Sequence, residues 1–263
     1  MQPVIDIGVN LMHPSFDKDR DQVVKQAEEA GVSALIITGT DAPSSAAACA
    51  YAALYPGKLY STAGVHPHDA KTWDAAAQET VRKLAQTGAA CAVGECGLDY
   101  NRNFSPPAVQ RRCFEQQIAL AEACALPLFV HERDAFADVS ALLRANRSSS
   151  AAVIHCFTGT AYQLEEYLAL GCYIGITGWI CDERRGGALV ALVNRIPPDK
   201  LMLETDAPFL FPRSLGLKGR ASRNEPRFLP QIAGFIASHL EKDPQVLAQE
   251  TYANTCRFFG IAL

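Results

Sequence analysis

Short apolar runs alternate with helix-forming segments along the whole chain, and this repeat restricts the possible folds more than any other feature. Eight such pairs follow one another, from a strand at residues 4–10 and a helix at 16–31 to a strand at 201–208 and a helix at 226–241. Near-continuous apolar strands separated by amphipathic helices are typical of a parallel sheet covered on both faces. Eight units within 263 residues predict an α/β fold, a (β/α)8 TIM-type barrel.

An open, doubly wound sheet is the structural alternative. It is less favoured because no G-x-G-x-x-G sequence follows the first strand. Residues 246–261 predict an additional C-terminal helix, and no linker or low-complexity stretch interrupts the chain. We therefore expect a single barrel domain over residues 1–263.

Composition excludes several functional classes. The net charge of -4 argues against a protein that binds nucleic acid through overall positive charge, although a local basic patch is compatible with it. No apolar stretch reaches the roughly 18 residues of a membrane span, and the first residues do not resemble a signal peptide. Nine cysteines without a C-x-x-C pair indicate reduced thiols. The expectation is a cytoplasmic protein with no membrane partner, and a monomer by default.

Polar residues follow the predicted strands at their C-terminal ends, where the active sites of such barrels lie. From the third strand to the eighth, these residues are His66, His68, Glu95, His131, His155, Glu204 and Asp206. Imidazole nitrogens and carboxylate oxygens that converge from separate strands predict a divalent metal site. A metal there could activate a water molecule and polarise a phosphoryl or carbonyl oxygen.

Taken singly, these residues also have structural interpretations. A histidine after an apolar run is usually a hydrogen-bonded structural residue. Glu95 could pair with an arginine inside the barrel, Asp206 could cap the following loop, and Glu204 could point towards the ligands or into the barrel wall. The same pattern at the ends of several strands at once favours the metal interpretation.

Other residues near the pattern are interpreted as structural. His13 and His239 lie away from the strand ends and are expected to be surface or packing residues. Strand alternation is expected to turn Cys96 and Cys156 to the face opposite the ligands, as small buried residues.

The motifs together resemble the TatD family of metal-dependent nucleases, within the amidohydrolase-like barrels. The resemblance covers the whole chain and rests on DIGVNL (6–11), TAGVHPHDA (62–70), GECGLDYNRNFS (94–105), HCFTGT (155–160), YIGITGW (173–179), CDERRG (181–186), ETDAP (204–208) and ASRNEP (221–226). It implies a divalent-metal hydrolase that cleaves phosphodiester bonds. The family's activity would be a 3′-to-5′ exonuclease that prefers single-stranded DNA, with RNA as another substrate and a role in DNA repair or degradation.

Position by position, the resemblance implies metal ligands at Glu95, His131 and His155, with Asp206 as the aspartate of the eighth strand. It places His66 near the substrate phosphate. In the expected mechanism, Asp206 orients or deprotonates the attacking water, Glu95 holds the metal, and His66 stabilises charge on the phosphate.

The first strand departs from the family pattern. Many relatives begin with D-x-H-x-H, whereas this chain has Asp6, Gly8 and Asn10 at the corresponding positions. We therefore expect one firmly held metal, with any second ion bound weakly through Glu95, Asp206 and the substrate phosphate. Mg²⁺ suits such an oxygen-rich position best, and Mn²⁺ or Zn²⁺ are the alternatives.

Cationic loops on the same rim predict the path of an anionic substrate. The cations are Arg102, Arg184, Arg185, Arg213, Lys218, Arg220 and Arg223. We expect His66, His68, Arg102 and Arg223 to contact the substrate, and Tyr100 or Phe104 to stack unpaired bases. Solvated loops with scattered charges are the structural alternative.

Two other functions fit the same pattern. One is a metallohydrolase that cleaves an ester or amide bond in a small molecule or an aminoacyl-tRNA, because barrels of this kind support many chemistries. The other is a non-enzymatic protein with a structural metal. Structural zinc sites are usually closed and often built from cysteines, so ligands at an open rim disfavour that interpretation.

Overall fold

In the computed structural model, which describes residues 2–216 and 223–262, eight parallel strands follow one another around a single sheet in chain order. The strands are β1 (Val4–Val9), β2 (Val32–Ile37), β3 (Leu59–Ala63), β4 (Ala92–Asp99), β5 (Leu128–Arg133), β6 (Ala152–Ile154), β7 (Tyr173–Ile176) and β8 (Leu201–Leu203). At the C-terminal ends of β1 and β8, the Asn10 N–H donates to the carbonyl of Ala207 at 2.8 Å and the Asp206 N–H donates to the carbonyl of Gly8 at 2.9 Å. These bonds bring the first and last strands together, so the sheet forms a nearly closed barrel.

Helices follow the strands and cover the outside of the barrel. In the described part of the chain they are α1 (Arg20–Glu29), α2 (Ala42–Ala52), α3 (Ala75–Gln86), α4 (Pro107–Cys124), α5 (Phe136–Asn146), α6 (Ala161–Ala169), α7 (Gly187–Val190), α8 (Leu229–His239) and α9 (Pro244–Phe259). The predicted (β/α)8 barrel and its additional C-terminal helix are thereby confirmed. Within the described ranges, no helix is both long enough and apolar enough to cross a membrane.

The sixth and seventh units are shorter than the sequence predicts. The strand expected at 151–159 ends at Ile154, and the helix expected at 186–196 ends at Val190 and continues as a 3-10 turn over Val193–Arg195. The first difference lies on the C-terminal side of β6, where a glycine and polar residues favour a loop over regular structure. The polar side chains that follow Ile154 therefore lie on a loop at the rim, whereas the shortened helix ends on the side that leads into β8.

Two apolar layers fix the direction in which each strand residue points. Leu128 and Val130 of β5 pack outwards against the helices, whereas Phe129 belongs to the cluster inside the barrel. Phe258 and Phe259 of α9 join the inner cluster and close the bottom of the barrel. Because successive residues of a strand alternate between faces, His131 and His155 continue the inward faces of β5 and β6 at the open end.

Glu95 needs an irregularity in β4 to reach the same interior. Val93 pairs with Leu128 and Cys96 with Val130, so three residues of β4 advance against two of β5. Such a bulge re-aims the side chain beside it. At Gly94, with φ of 147°, a Cβ atom would lie 2.4 Å from the carbonyl oxygen of Phe129, so only glycine fits. The bulge thus places Glu95 inside the barrel and Cys96 in the outer core.

Candidate active site

The C-terminal end of the barrel opens into a cavity of ≈ 360 Å³. Its lining contains every polar strand-end residue predicted to bind metal, together with several that were not predicted. The lining residues are Asn10, His13, Thr40, His66, His68, Asp69, Glu95, His131, His155, Cys156, Asp206 and Phe209.

Three ligand atoms converge inside this cavity on a point beside β4. Oε1 of Glu95 lies 3.0 Å from Nδ1 of His131 and 2.9 Å from Nε2 of His155, and the two ring nitrogens are 3.4 Å apart. The structure thus brings together three of the four residues predicted as metal ligands.

The other nitrogen of each ring faces a second carboxylate. Nδ1 of His155 lies 3.3 Å from Glu204, and Nε2 of His131 lies 3.5 Å from Asp99. A neutral imidazole carries one proton, and these carboxylates favour the proton on their own side of each ring. The lone pairs of His131 Nδ1 and His155 Nε2 are then directed at the convergence point, as in carboxylate–histidine–metal arrangements. This donor set fits a divalent cation.

The charges of the site also favour a cation at the convergence point. Burial raises the pKa of Glu95, but the facing rings of His155 and His66 and hydrogen bonds from the imidazoles outweigh it and hold that pKa well below the usual range. Burial lowers the pKa of His155, yet Glu95 and Glu204 raise it well above normal. The carboxylates therefore attract positive charge to this point, where a metal would displace protons from the histidines.

His66 occupies the same cluster but is set up as a donor. Its Nε2 lies 3.4 Å from Glu95, and His66, Glu95 and His131 offer ligand atoms within 4.8 Å of one another. However, its Nδ1 accepts a hydrogen bond from the backbone N–H of His68 at 3.1 Å. Burial lowers the pKa of His66 to about 3, so the ring is neutral and its single proton is on Nε2. A protonated Nε2 cannot bind a metal, so in this state the ring offers a hydrogen-bond donor to the cavity.

His68 is held at the cavity edge by a residue that the strand-end pattern did not include. Its Nε2 lies 2.7 Å from Oδ2 of Asp99, the same oxygen that faces His131. Phe104 packs edge-on against the His68 ring at 4.8 Å and is 57% exposed. Asp99 is the last residue of β4, so its place at a strand end was the signal available in the sequence.

Asp206 lies in the cavity on a strained turn. Its backbone has φ of 54°, in the left-handed region, and its Oδ1 accepts a hydrogen bond from Nδ2 of Asn10 at 3.0 Å. Burial, with the nearby carboxylates Glu95 and Glu204, raises the pKa of Asp206 to about 7. Asn10 therefore contributes a donor to Asp206, a role that the first-strand motif did not predict.

Gly8 makes room for Glu204. The side chain of Glu204 is fully buried inside the barrel, where it accepts the N–H of Cys156 and faces His155. A Cβ atom on Gly8 would lie 2.6 Å from Oε2 of Glu204. Gly8, where many relatives have a histidine, therefore leaves space for the carboxylate of Glu204. That carboxylate faces His155 and orients this proposed ligand.

Replacing Gly8 with alanine is expected to displace Glu204 and weaken metal binding. Overpacking of this kind costs about 1–3 kcal/mol of unfolding free energy. Thermal unfolding and calorimetric titration with Mn²⁺ measure the two effects. Gly234 in α8 is the matched control, since a Cβ atom there would meet nothing within 4 Å and Gly234→Ala should raise stability slightly. Wild-type stability and metal affinity in Gly8→Ala would exclude this role for Gly8.

One further expectation is wrong. Cys96 is buried in the outer core as predicted, but Cys156 has φ of 49° and lines the cavity instead of the opposite face. The left-handed backbone directly after β6 breaks the alternation on which that prediction was based. His13, expected to be a surface or packing residue, packs edge-on against Phe209 at 5.4 Å and also lines the cavity. Its sequence position, in the loop after β1, was the only available signal.

Arg223 is committed to other partners. Its Nη1 and Nη2 donate to the two oxygens of Asp19 at 3.0 and 2.7 Å, and Nη2 also donates to Glu225 at 2.8 Å. The guanidinium packs over the ring of Phe16 at 4.7 Å. This placement does not support the predicted contact with substrate, and we assign Arg223 to the attachment of the loop after β8.

Arg223→Ala is therefore expected to lower stability and leave nucleic-acid binding intact. Hydrogen bonds to charged groups contribute about 1.5–3 kcal/mol each, less at a partly exposed site such as this one. Arg223 lowers the pKa of Asp19, so the contribution of the pair is present above the unfolded pKa of about 3.9 and is lost as the pH falls below it. Melting curves measure the difference in Tm between the wild type and Arg223→Ala. This difference should be smaller at acidic pH than at neutral pH. A weaker salt dependence of DNA binding in this variant would restore the original interpretation.

The remaining rim arginines divide into two groups. Arg184 and Arg185 bond to Asp182, at 3.2 and 2.8 Å from its Oδ2, and Arg213 lies 3.4 Å from Glu183. Arg102 is exposed, and within residues 2–216 and 223–262 its guanidinium forms no ion pair. Lys218 and Arg220 lie outside the described residues. Among the predicted rim cations that the structure describes, Arg102 is therefore the one left without an ion-pair partner.

Sequence comparison finds close relatives over nearly the full length. Residues 5–260 match the family described as TatD related DNase. The chain is 51% identical to the "3′-5′ ssDNA/RNA exonuclease TatD" of Yersinia pseudotuberculosis, covering 98% of this chain and all of that protein. A protein of the same description from Pectobacterium carotovorum is 49% identical, again over 98% and 100%.

Structural comparison finds the same relationship. The crystal structure of a TatD homologue from Escherichia coli K12 superimposes with a TM-score of 0.89 at 25% sequence identity, covering 98% of each chain. A TatD family hydrolase from Entamoeba histolytica gives a TM-score of 0.86 at the same identity. Barrel geometry and sequence therefore identify the same group of proteins.

Proposed function

The chain belongs to the family of TatD-related DNases, and on this premise we propose that it removes nucleotides from the 3′ end of single-stranded DNA or RNA by hydrolysing phosphodiester bonds. The observation that carries the proposal is the convergence of Glu95, His131 and His155 beside Asp206 in an open cavity. The named activity of the bacterial relatives supports the substrate and the polarity.

The proposed metal ligands are Oε1 of Glu95, Nδ1 of His131 and Nε2 of His155, with Asp206 completing the set. The family's fold implies a divalent cation, and we propose Mg²⁺ as the working metal, with Mn²⁺ and Zn²⁺ as alternatives. A bound cation would polarise the phosphoryl group and lower the pKa of a coordinated water.

The side chains of the cavity supply the remaining steps. Asp206, with a pKa raised to about 7, is suited to accept the proton of the attacking water near neutral pH. His66, neutral and protonated on Nε2, donates a hydrogen bond to a phosphoryl oxygen as negative charge develops there. His68 at the cavity edge and the exposed Arg102 in the loop after β4 are proposed to hold the phosphate and the neighbouring nucleotide.

Stripping the protein with chelator and restoring Mg²⁺ or Mn²⁺ tests this function. End-labelled single-stranded DNA should shorten stepwise from its 3′ end only in the restored samples, and a 5′-to-3′ ladder would reverse the polarity. If metal binds and no strand is cut, hydrolysis of an ester or amide bond becomes the better proposal. Family membership makes that alternative the second choice, and a purely structural metal the third.

A reducing compartment suits the cysteines, and we propose the cytoplasm as the place of action. Each of the nine cysteines is free, and most are buried or half-buried among apolar residues. Thiols persist in this state where glutathione and thioredoxin keep them reduced. The monomeric state and the role in DNA repair or degradation stay predictions.

A further inference from the structure

A second cavity, of ≈ 650 Å³, lies on the same rim between the loops that follow β5, β6 and β7. Arg133, Thr158, Trp179 and Arg185 are among its lining residues. We propose that this cavity binds the nucleotide on the 5′ side of the one being removed. Arg133 holds its phosphate, and the Trp179–Arg185 pair stacks its base. The inference rests on the proposed nuclease function and extends it.

The two cavities are joined by β5. Arg133 is the last residue of that strand and lies two positions after His131, about 7 Å along an extended chain. Thr158 follows His155 by three residues. The catalytic cavity, at ≈ 360 Å³, is near the lower end of about 300–1,000 Å³ for small-molecule sites, so it accommodates little more than one nucleotide. The rest of a strand has to cross the rim, and the second cavity lies directly beside it.

Arg133 carries a charge that no carboxylate neutralises in the described part of the chain. Its Nη1 donates to Oγ1 of Thr158 at 3.3 Å, and no ion pair within 4.0 Å involves it. The neighbouring carboxylates have partners of their own: Glu132 accepts the N–H of Ala135 at 2.8 Å, and Asp134 accepts Nδ2 of Asn101 at 3.0 Å. A guanidinium with free donors suits bidentate recognition of a phosphate.

Trp179 and Arg185 form a stack that a base can extend. The Arg185 guanidinium lies 4.1 Å from the centre of the Trp179 ring, and Asp182 fixes it through bonds of 2.9 and 2.8 Å. The Arg185 side chain is 51% exposed, so a base has access to the guanidinium. Bases of unpaired strands stack on arginine planes as well as on aromatic rings. This makes the cavity selective for a nucleotide over a free phosphate.

Binding of a fluorescent single strand with a phosphorothioate-blocked 3′ end, in Mg²⁺, tests the proposal without cleavage. Arg133→Ala should weaken the affinity about tenfold and reduce the salt slope by about 0.7, the contribution of one phosphate contact to a single strand. Arg133→Lys, which keeps the charge and loses the planar fork, should lose less. Arg257→Ala is the matched control, because it removes an exposed arginine from α9 at the opposite end of the barrel and should change neither value.

A strand with one abasic position tests the stacking. The intact strand should bind the wild type about tenfold more tightly than the abasic strand, and Arg185→Ala should remove that difference. Excess inorganic phosphate should compete poorly, and effective competition would identify a simple anion site instead. If both Arg133 variants bind the strand with wild-type affinity and wild-type salt slope, the proposed subsite is excluded.

Cleavage assays separate this inference from the proposed function. For Arg133→Ala, the ratio of kcat/KM for a single strand to that for bis(4-nitrophenyl) phosphate should fall about tenfold, since the small diester cannot reach the second cavity. Failure of the wild type to cleave either substrate would count against the nuclease. The binding titrations would still decide whether the subsite exists.

Discussion

Replacing Glu95 by glutamine is expected to lower the hydrolysis rate about 100- to 1,000-fold and to abolish tight metal binding. A single oxygen of Glu95 meets both proposed histidine ligands, at 3.0 and 2.9 Å, so the variant loses the anionic donor that faces both rings. Glutamine keeps the size of the side chain and loses its charge. The measurement is the rise in Tm that Mn²⁺ causes, because a ligand that binds only the folded state raises its stability.

The control for this prediction is Glu79→Gln, on the exposed face of α3. It makes the same chemical change where the carboxylate pairs with Arg82 and Lys83 at the surface. The control should retain the wild-type Tm rise and rate. A Glu95→Gln protein that binds metal with wild-type affinity would transfer the anionic ligand role to Asp206.

The barrel and the inward direction of two proposed ligands could be predicted from the sequence. Alternation along apolar strands is a local property, so the runs that end in His131 and His155 already specify which face each histidine shares with Phe129 and Val153. Eight repeats of strand and helix then leave few topologies. The prediction was successful because it used only short-range periodicity and strand order.

Other parts of the site depend on local breaks in that periodicity. Glu95 reaches the interior only through the bulge in β4, and Cys156 reaches the cavity only through left-handed backbone after β6. Simple alternation gives the wrong face for Cys156 and gives no reason for the position of Glu95. Such breaks are common beside active sites, where they re-aim side chains.

Contacts between residues that are far apart in the sequence were the other feature that could not be predicted. Arg223 and Asp19 are 204 residues apart, and no sequence pattern indicates that they meet. The same is true of Glu204 and Gly8. The missing side chain of Gly8 leaves the volume that the Glu204 carboxylate occupies, and no motif indicates this. A cationic loop residue therefore looked available to substrate until its partners were known. Arg133, the last residue of β5, was not among the predicted substrate contacts, although its guanidinium forms no ion pair in the described residues.

Asp206→Asn is expected to lower kcat by about 100- to 10,000-fold, the usual contribution of general acid–base catalysis, with a smaller effect on metal affinity than Glu95→Gln. Asparagine keeps the shape of the side chain and can still accept the hydrogen bond from Asn10. In the wild type, Nδ2 of Asn10 lies 3.0 Å from Oδ1 of Asp206. It cannot take a proton from water. Metal affinity should fall less because Glu95 and the two histidines meet one another without Asp206.

The pH profile separates this role from that of a simple ligand. A general base works only when it is deprotonated, so the wild-type rate should fall as the pH drops through the pKa of Asp206, which burial raises to about 7 and a bound cation would lower. The residual rate of Asp206→Asn should lack that acidic limb. Asn10→Ala offers the intermediate case: it removes a bond that favours the carboxylate, so the limb should move to higher pH while the base itself is kept. An acidic limb that persists unchanged in Asp206→Asn would assign the proton transfer to another group of the cavity.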